Sequence, residues 1–486
     1  AGVAPEGHIH GPQGMVGAGG LVHYDYVVDA SYTGAAGATI TTAGGSTSKL
    51  YATIQAAITA ADADNAARTI LVNRGTYAEN VIIPSTFSHN LRLVGEGSGG
   101  NSGGVMTHIN PASGTALTVG GGYDVNTAQF EMEHIRLSGD NGLSSTGTLG
   151  PPSMHINNCY IAGTTGVYRY AWFDHCFFEN SIFASGTTTE NVWVSNSRIE
   201  TASTWSGQMQ HTFFDHCFFD SSITSTANID NLGFSQCQFP SSFVFTKNGG
   251  TCNGLVFDDD CIFGLTATNP GANGYVYFQS VTAPMSGAYI GGRMNYNSGA
   301  ATFIKSDDTD TEGVAVFARL GRNAGGSYTE DNSGISIVGS FKNSVFMCMP
   351  SSFALQLDAG TNNLYVGTGA VTGAAALSGV RVALPQRGSG APSHTAPEGT
   401  AYWDTTNNNY YINSDGATTW QGVGGASVGN LTVQLNDTTV DANATVVDFT
   451  DADAAVGTLV TSSPAGEANV NMALYAKLLG RAGGQT

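Results

Sequence analysis

Five carboxylates are spaced so that they could do chemistry together. Asp174 and Asp215 stand 41 residues apart, and Asp258, Asp259 and Asp260 form a run. Hydrolysis of a glycosidic bond needs two carboxyl groups, and inverting enzymes hold theirs about 6.5–9.5 Å apart. A chain that repeats near every twenty residues and stacks its coils roughly 4.8 Å apart would place Asp174 and Asp215 two coils, roughly 10 Å, from each other. Any two outward carboxylates on such a scaffold would share that spacing, so solvated acidic side chains are the competing reading. His8 and His10 alternate across Ile9 in a Gly-rich arm, and copies meeting about an axis could hold a metal between such rings. An ordinary polar arm explains them equally. The seven Cys show no CxxC or Cys/His ligand spacing. No cofactor is implied.

The repeat that would position these groups is legible between residues 130 and 263. The phrases Met154–Gly163, Ala171–Phe183, Val192–Thr201, Phe213–Thr224, Leu232–Phe243 and Val256–Gly264 align on Cys159, Cys176, Ser197, Cys217, Cys237 and Cys261, in steps of 17, 21, 20, 20 and 24. An earlier copy places Ile135 at the same position, 24 residues before Cys159. A period of this size marks a solenoid whose coils bury their apolar faces only against each other. Apolar residues alternate around each anchor, as in Phe173, Cys176 and Phe178, which says strand. The parity slips just before the anchor, at Asn158, His175, Asn196, His216 and Gln236. A stacked polar bend between two strands is expected there. The expected fold is all-β, a right-handed parallel β-helix. One Cys per coil reads as a column of buried, reduced thiols, suited to synthesis in a reducing cytosol.

By parity, Tyr160, Phe177, Phe218, Trp172 and Phe213 point away from the core. An exposed apolar stripe implies a partner or ligand, either sugar rings or a second copy of the chain, and contact between copies is the favoured reading. The composition agrees with an outward-looking β protein. Charged residues make up 11% and the net charge is −20, which excludes wrapping nucleic acid and a polybasic membrane contact. No apolar run reaches the roughly 20 residues of a membrane span, so no membrane insertion is expected.

In chain order, residues 1–45 form an N-terminal arm and 46–350 the β-helix. Within the helix, loops are expected at Gly139–Pro152 and Thr266–Gly274. Residues 351–397 are a transition and turn-rich connector, 398–425 a small β-meander, and 426–486 a C-terminal β unit ending in a helix at Asn469–Arg481. At the entrance, Ile54, Ala57, Ile58 and Ala61 predict an amphipathic helix over Thr53–Ala67 that covers the open end of the first coil. Strands follow at Thr69–Asn73, Tyr77–Ile83 and Leu91–Val94. The stretch Ala52–Gly97, with Thr53-Ile54-Gln55, Ile70-Leu71-Val72, Gly75-Thr76-Tyr77, Glu79 and Leu91–Gly97, resembles the opening of the pectin lyase-like β-helix superfamily. That resemblance implies the fold and leaves activity open. The superfamily's enzymes cleave polysaccharides, and the signature phrases of its pectinesterases and polygalacturonases are not found. Their absence favours a binding or structural role over catalysis.

In the meander, Tyr402, Trp403, Tyr410, Tyr411 and Trp420 crowd a unit with an Asn-rich turn and an Asp415-Gly416 turn. The phrase Glu398–Val423 resembles a module of bacteriophage tail fibres, tailspikes and other virion proteins, which makes Tyr402, Trp403, Tyr411 and Trp420 candidate contact residues. The resemblance implies a virion spike or capsid-decorating fibre made in the host cytoplasm. It implies a homotrimer, an arm docked on other virion proteins, and distal modules facing host-surface polysaccharide. A polysaccharide lyase or hydrolase and a bacterial surface adhesin at the cell surface are the alternatives.

Overall fold

The computed structural model describes residues 23–423 apart from 42–46, 98–105, 121–128, 147–152, 181, 184–185, 266–269, 283–284, 297–300, 325–326, 331–334, 350–352, 368–370, 373–379, 383–384 and 397, together with the backbone of 431–435 and 438–444. His8, His10, most of the arm and the expected terminal helix lie outside the described residues.

The chain winds into a parallel β-helix whose coils contribute to three sheets. A long sheet runs from Thr47–Tyr51 through Arg68–Val72, Gln129–Glu133, Thr188–Ser195 and Met209–Asp215 to Val380–Val382. A narrow sheet takes two or three residues from most coils, such as Phe177–Phe178 and Phe218–Phe219. A third sheet begins at Ser203–Trp205 and ends at Val371–Thr372. The narrow sheet pairs Arg136, Tyr160, Phe177, Arg198, Phe218, Gln238 and Ile262 rung by rung. Each follows its anchor by one residue, so the anchors read from the sequence do stack. All of them are buried. The thiols of Cys176, Cys217, Cys237 and Cys261 donate to carbonyls of the preceding coil at 3.3–3.5 Å. Burial pushes the Cys159 thiol up to about 12 and Cys176 and Cys237 well above their ordinary value.

The bend before each anchor is a column of left-handed residues. His134, Asn158, His175, Asn196, His216 and Gln236 all have φ between 49° and 58°, a region that Asn and His tolerate better than branched residues. Their N–H groups donate to the next coil, as in Asn158 to Asp174 O at 2.9 Å and His216 to Ser235 O at 3.0 Å. A second left-handed column lies inside the long sheet at Tyr170, Asn191, His211 and Asn231, with φ from 43° to 59°. Apolar alternation does not predict it.

Inside, aromatic rings stack coil over coil. Phe214, Phe234 and Phe257 form a near-parallel pile with centroids 5.2 and 4.5 Å apart, and Phe219, Phe239 and Phe263 form another at 5.2 and 4.7 Å. Full burial of each such side chain stabilises by roughly 1.5–3 kcal/mol.

At the entrance the helix spans Ile54–Asp64, shorter than expected, because Asn65 turns left-handed and ends it. Thr53 caps its start, and the Glu79 carboxylate accepts from the N–H groups of Ile54 and Gln55 at 2.8 and 3.0 Å. A carboxylate at unpaired helix N–H groups is favourable. Ile54, Ala57, Ile58 and Ala61 are buried in the core.

Several boundaries differ from expectation. Tyr26–Val28, read as part of the arm, inserts between Thr47–Tyr51 and Arg68–Val72 as a parallel strand. The expected strand Tyr77–Ile83 is two strands, Gly75–Tyr77 and Val81–Ile83. Asn141–Thr146, read as loop, is a strand paired with Thr115–Val119. The coils continue past residue 350, because Ala354–Thr361 and Asn363–Val366 pair with the coil before them. Gln386–Gly388, read as connector, pairs in parallel with Ala401–Asp404 and opens a four-stranded sheet. The meander itself, Ala401–Asp404, Asn409–Asn413 and Trp420–Val423, is antiparallel as expected. A separate unit from Gly424 onward contains the hairpin Leu431–Leu435 with Thr438–Ala444.

Lys247 is fully buried, its Nζ donating to the carbonyls of Ala227 and Gly249. Burial pulls its pKa down to about 8, against roughly 10.4 for a free lysine. The unfolded chain therefore binds the extra proton between these values, so this group's cost is complete below pH 8 and is relieved as pH rises toward 10. The stability gap between wild type and Lys247→Met is expected to move in favour of wild type by about 2 kcal/mol from pH 7.5 to pH 10. Urea titrations across that range measure it, and a gap independent of pH would show that Lys247 is not held in this way.

Candidate binding faces

Two outward columns flank the left-handed bend. On the long sheet, His155, Trp172, Trp193, Phe213, Gly233, Val256 and Tyr289 lie in register. Trp172 and Trp193 are 5.2 Å apart and 6° from parallel, and Trp193 and Phe213 are 6.0 Å apart at 24°. The pile closes on Gly233, where an added Cβ would lie 2.7 Å from the Phe213 ring. The ring therefore leans over bare backbone. Trp193 was not among the expected residues, although its place one residue after Val192 matches that of Trp172 after Ala171.

On the narrow sheet the column runs Arg136, Tyr160, Phe177, Arg198, Phe218, two cations among three rings. The Arg136 guanidinium lies 4.1 Å from the Tyr160 centroid, Tyr160 stacks on Phe177 at 4.7 Å, and Arg198 sits 5.8 and 5.6 Å from Phe177 and Phe218. Arg198 Nε also pairs with Asp220 at 2.6 Å, and Arg136 with Glu179 at 3.7 Å. Arg198 is exposed, and cation–π contacts at such sites contribute about 0.5–1 kcal/mol each. Tyr160 points outward as expected but is only 7% exposed. Burial, then its bond to Glu179, pushes its hydroxyl up to about 12. The expected group thus divides between two sheets, with Trp172 and Phe213 on one and Tyr160, Phe177 and Phe218 on the other.

The geometry limits what the long-sheet column can hold. Face-to-face rings spend their faces on each other and present edges outward. A sugar ring cannot lie flat on Trp172 or Trp193. An apolar protein surface can pack against their edges.

The carboxylates are engaged as acceptors. Asp174, Ser195 and Asp215 share one column, so a serine fills the coil between the two acids. Asp174 accepts from Ser195 Oγ at 2.7 Å, Asn196 Nδ2 at 2.9 Å and His175 Nδ1 at 2.8 Å. Burial alone would raise its pKa, but the bonds from Asn196, Ser195 and His175 outweigh this and leave it below the ordinary value. That is the wrong direction for a general acid. Asp215 pairs with His216 Nδ1 at 2.9 Å. Asp258 accepts from the N–H groups of Gln236 and Asp260, and Asp259 from the Tyr289 hydroxyl; Asp260 is exposed. Among the described residues no group of three or more His, Cys, Asp or Glu could hold a metal.

In the meander, Tyr402 and Trp420 pack with His394, with centroids 5.1–5.7 Å apart, and Trp420 Nε1 donates to His394 O at 2.9 Å. These rings form the module's own small core. Tyr411 edges onto Tyr402, while Trp403 meets Tyr410 on the other face at 6.2 Å. His394 lies in the segment read as connector, which is why its part was missed.

No family model and no curated protein matches the chain. Solved structures similar to it include PfbA, a surface adhesin of Streptococcus pneumoniae, at 12% identity and TM-score 0.32, covering 76% of this chain and 95% of that one. Tailspike protein 3 of bacteriophage CBA120 matches at 13% identity and TM-score 0.29, over 77% of this chain and 66% of that one. ORF18 of Geobacillus virus E2 matches at 11% and 0.27, over 76% and 72%. Likenesses this low carry no argument about function.

Proposed function

We propose that the chain is the shaft subunit of a bacteriophage spike or fibre, assembled as a trimer and engaging host-surface glycan. The observation that carries this reading is the outward column of the long sheet. From Trp172 it runs through Trp193, Phe213, Gly233, Val256, Tyr289, Ala315 and Val345 to Leu364, rung by rung and without a charge. Eight steps at the strand spacing make it about 38 Å long. Phe213, Val256 and Leu364 are each 36% exposed in the single chain. A contiguous apolar stripe of this length marks a contact surface. Its straight repeat suits copies of itself set about a parallel axis, where each rung meets its own equivalent. The N-terminal residues then serve attachment to the particle, and the meander lies toward the host.

Engineered cysteines test this. All seven native cysteines are buried, so an added surface thiol reports alone. Val256→Cys is expected to give a covalent dimer band under a short bis-maleimide, because like rungs meet. Thr204→Cys, on the exposed face of the third sheet, is expected to give none. Equal behaviour of the two would refute the interface.

A further inference from the structure

We propose that the outer face of the meander sheet is a subsite for a carboxylated sugar, a hexuronate or a sialate. The inference deepens the glycan reading above and rests on it. The strands Gln386–Gly388, Ala401–Asp404, Asn409–Asn413 and Trp420–Val423 send alternate side chains to two faces. One face is the module's core, where Gln386 and Tyr402 are buried. The other sets Arg387, Trp403, Tyr410 and Val423 on one rung, with Ala401, Ile412 and Gln421 beside them. None of these residues lies on the column that runs from Trp172 to Leu364.

Two features of this face point to one class of ligand. The first is the Trp403 ring. Among the described residues its ring neighbour is Tyr410, 6.2 Å away and tilted by 56°, whereas Trp172 and Trp193 cover each other at 6°. The indole face is therefore open, and its negative charge attracts the C–H edge of a pyranose. The second is the Arg387 cation. Arg68, Arg74, Arg92, Arg136, Arg169 and Arg198 each reach a carboxylate within 3.9 Å. Arg387 is exposed and enters no ion pair among the described residues. In a chain of net charge −20, a guanidinium on a face without one carboxylate is complementary to an anion, and its planar fork matches a carboxylate.

The spacing joins the two features. Arg387 and Trp403 pair across adjacent strands, about 4.8 Å apart. A hexuronate or sialate carries its carboxylate on the ring itself, so a ring lying on Trp403 brings that group over the neighbouring strand and within reach of the guanidinium. Gln421, exposed on the next rung, adds an amide that both donates to and accepts from hydroxyls. Val423 is 37% exposed and extends the apolar floor. A neutral sugar would use the ring and leave the cation idle. An apolar protein surface would bury that cation unpaired, which is costly.

Saturation-transfer NMR on the full chain tests this with the methyl glycosides of galacturonate, N-acetylneuraminate and galactose as probes. Galacturonate and galactose differ only in a carboxylate against a hydroxymethyl group, so their comparison isolates the charge. Stronger transfer to at least one acid than to methyl galactoside is expected. Arg387→Gln is expected to raise the dissociation constant of that acid about tenfold, the loss of one charge-assisted bond, with an unchanged thermal midpoint. Trp403→Ala, or Trp403→Leu should the alanine variant fail to fold, is expected to abolish transfer and leave the mass in solution unchanged. Absence of transfer to both acids, equal binding of methyl galactoside, undiminished binding in Arg387→Gln, or a change of mass in the Trp403 variant would each overturn the subsite. A glycan array separates the two levels. If the unaltered chain binds only neutral glycans, this subsite is wrong and the glycan reading stands. If it binds none, both fall.

Discussion

Trp193→Glu is expected to turn the assembled protein into folded monomers of 50.1 kDa. Trp193 sits in the middle of the outward pile, between Trp172 and Phe213. In an assembly about an axis, the substitution would bring one carboxylate per copy to the same rung, each leaving water without a cation. The effective cost of such burial is several kcal/mol per ion, and since 1.4 kcal/mol is tenfold, association is expected to weaken by about 1,000-fold or more. Within the single chain the loss is smaller. Two ring pairs disappear, each worth about 0.5–1.5 kcal/mol, and the glutamate stands in solvent. Sedimentation velocity across a concentration series, with circular dichroism to confirm the fold, distinguishes the two effects. An assembly that survives the substitution would show that this column does not lie between copies.

Phe234→Ala is expected to produce the largest loss of stability of any single substitution in the shaft, about 3–5 kcal/mol. Phe234 is 1% exposed. Its ring meets Phe214, Phe219, Phe239, Phe245 and Phe257, with centroids 4.5–6.0 Å away. Those neighbours belong to the same coil and the two beside it, so the cavity weakens both interfaces of one repeat. In a solenoid, stability is close to a sum of repeat and nearest-neighbour terms. Urea unfolding of the variant is therefore expected to separate into two phases, with hydrogen exchange fastest around residues 209–263. Val256→Ala, on the outer face, is expected to cost less than 1 kcal/mol in the monomer. A loss below 1.5 kcal/mol for Phe234→Ala would mean that the aromatic pile is not what couples the coils.

The shaft was legible because each coil repeats the same local conflict. A buried residue must follow a left-handed bend, and Cys, Ser or Ile preceded by Asn, His or Gln solves it, so the anchors show from Ile135 to Cys237. The second left-handed column was equally periodic, with Tyr170, Asn191, His211 and Asn231 in steps of 21, 20 and 20. It lies within strands, where one extra residue breaks the alternation that reveals a strand and hides the column. Coils past residue 350 were missed for a different reason. Ala354–Thr361 alternates only in part, and its place is fixed by pairing with Ile335–Lys342 rather than by its own pattern.

Of the candidate faces, the sequence showed which rings point outward but not how they meet. Parity placed Trp172, Phe213, Tyr160, Phe177 and Phe218 outside, yet only the register shows that Arg136 and Arg198 interleave with three of them. The same register sets Trp193 between the other two. The carboxylates at Asp174 and Asp215 attracted attention by spacing alone. His175, Asn196 and His216 are legible as a stacked polar bend, but their bonds to Asp174 and Asp215, and that of Ser195 to Asp174, appear only when the coils are laid over one another.

The most direct measurement is the mass of the unaltered protein in solution by multi-angle light scattering. A mass near three times 50.1 kDa is expected, unchanged on dilution through the micromolar range. A clean monomer would contradict the account, because the column from Trp172 to Leu364 would then stand in water with no copy to cover it.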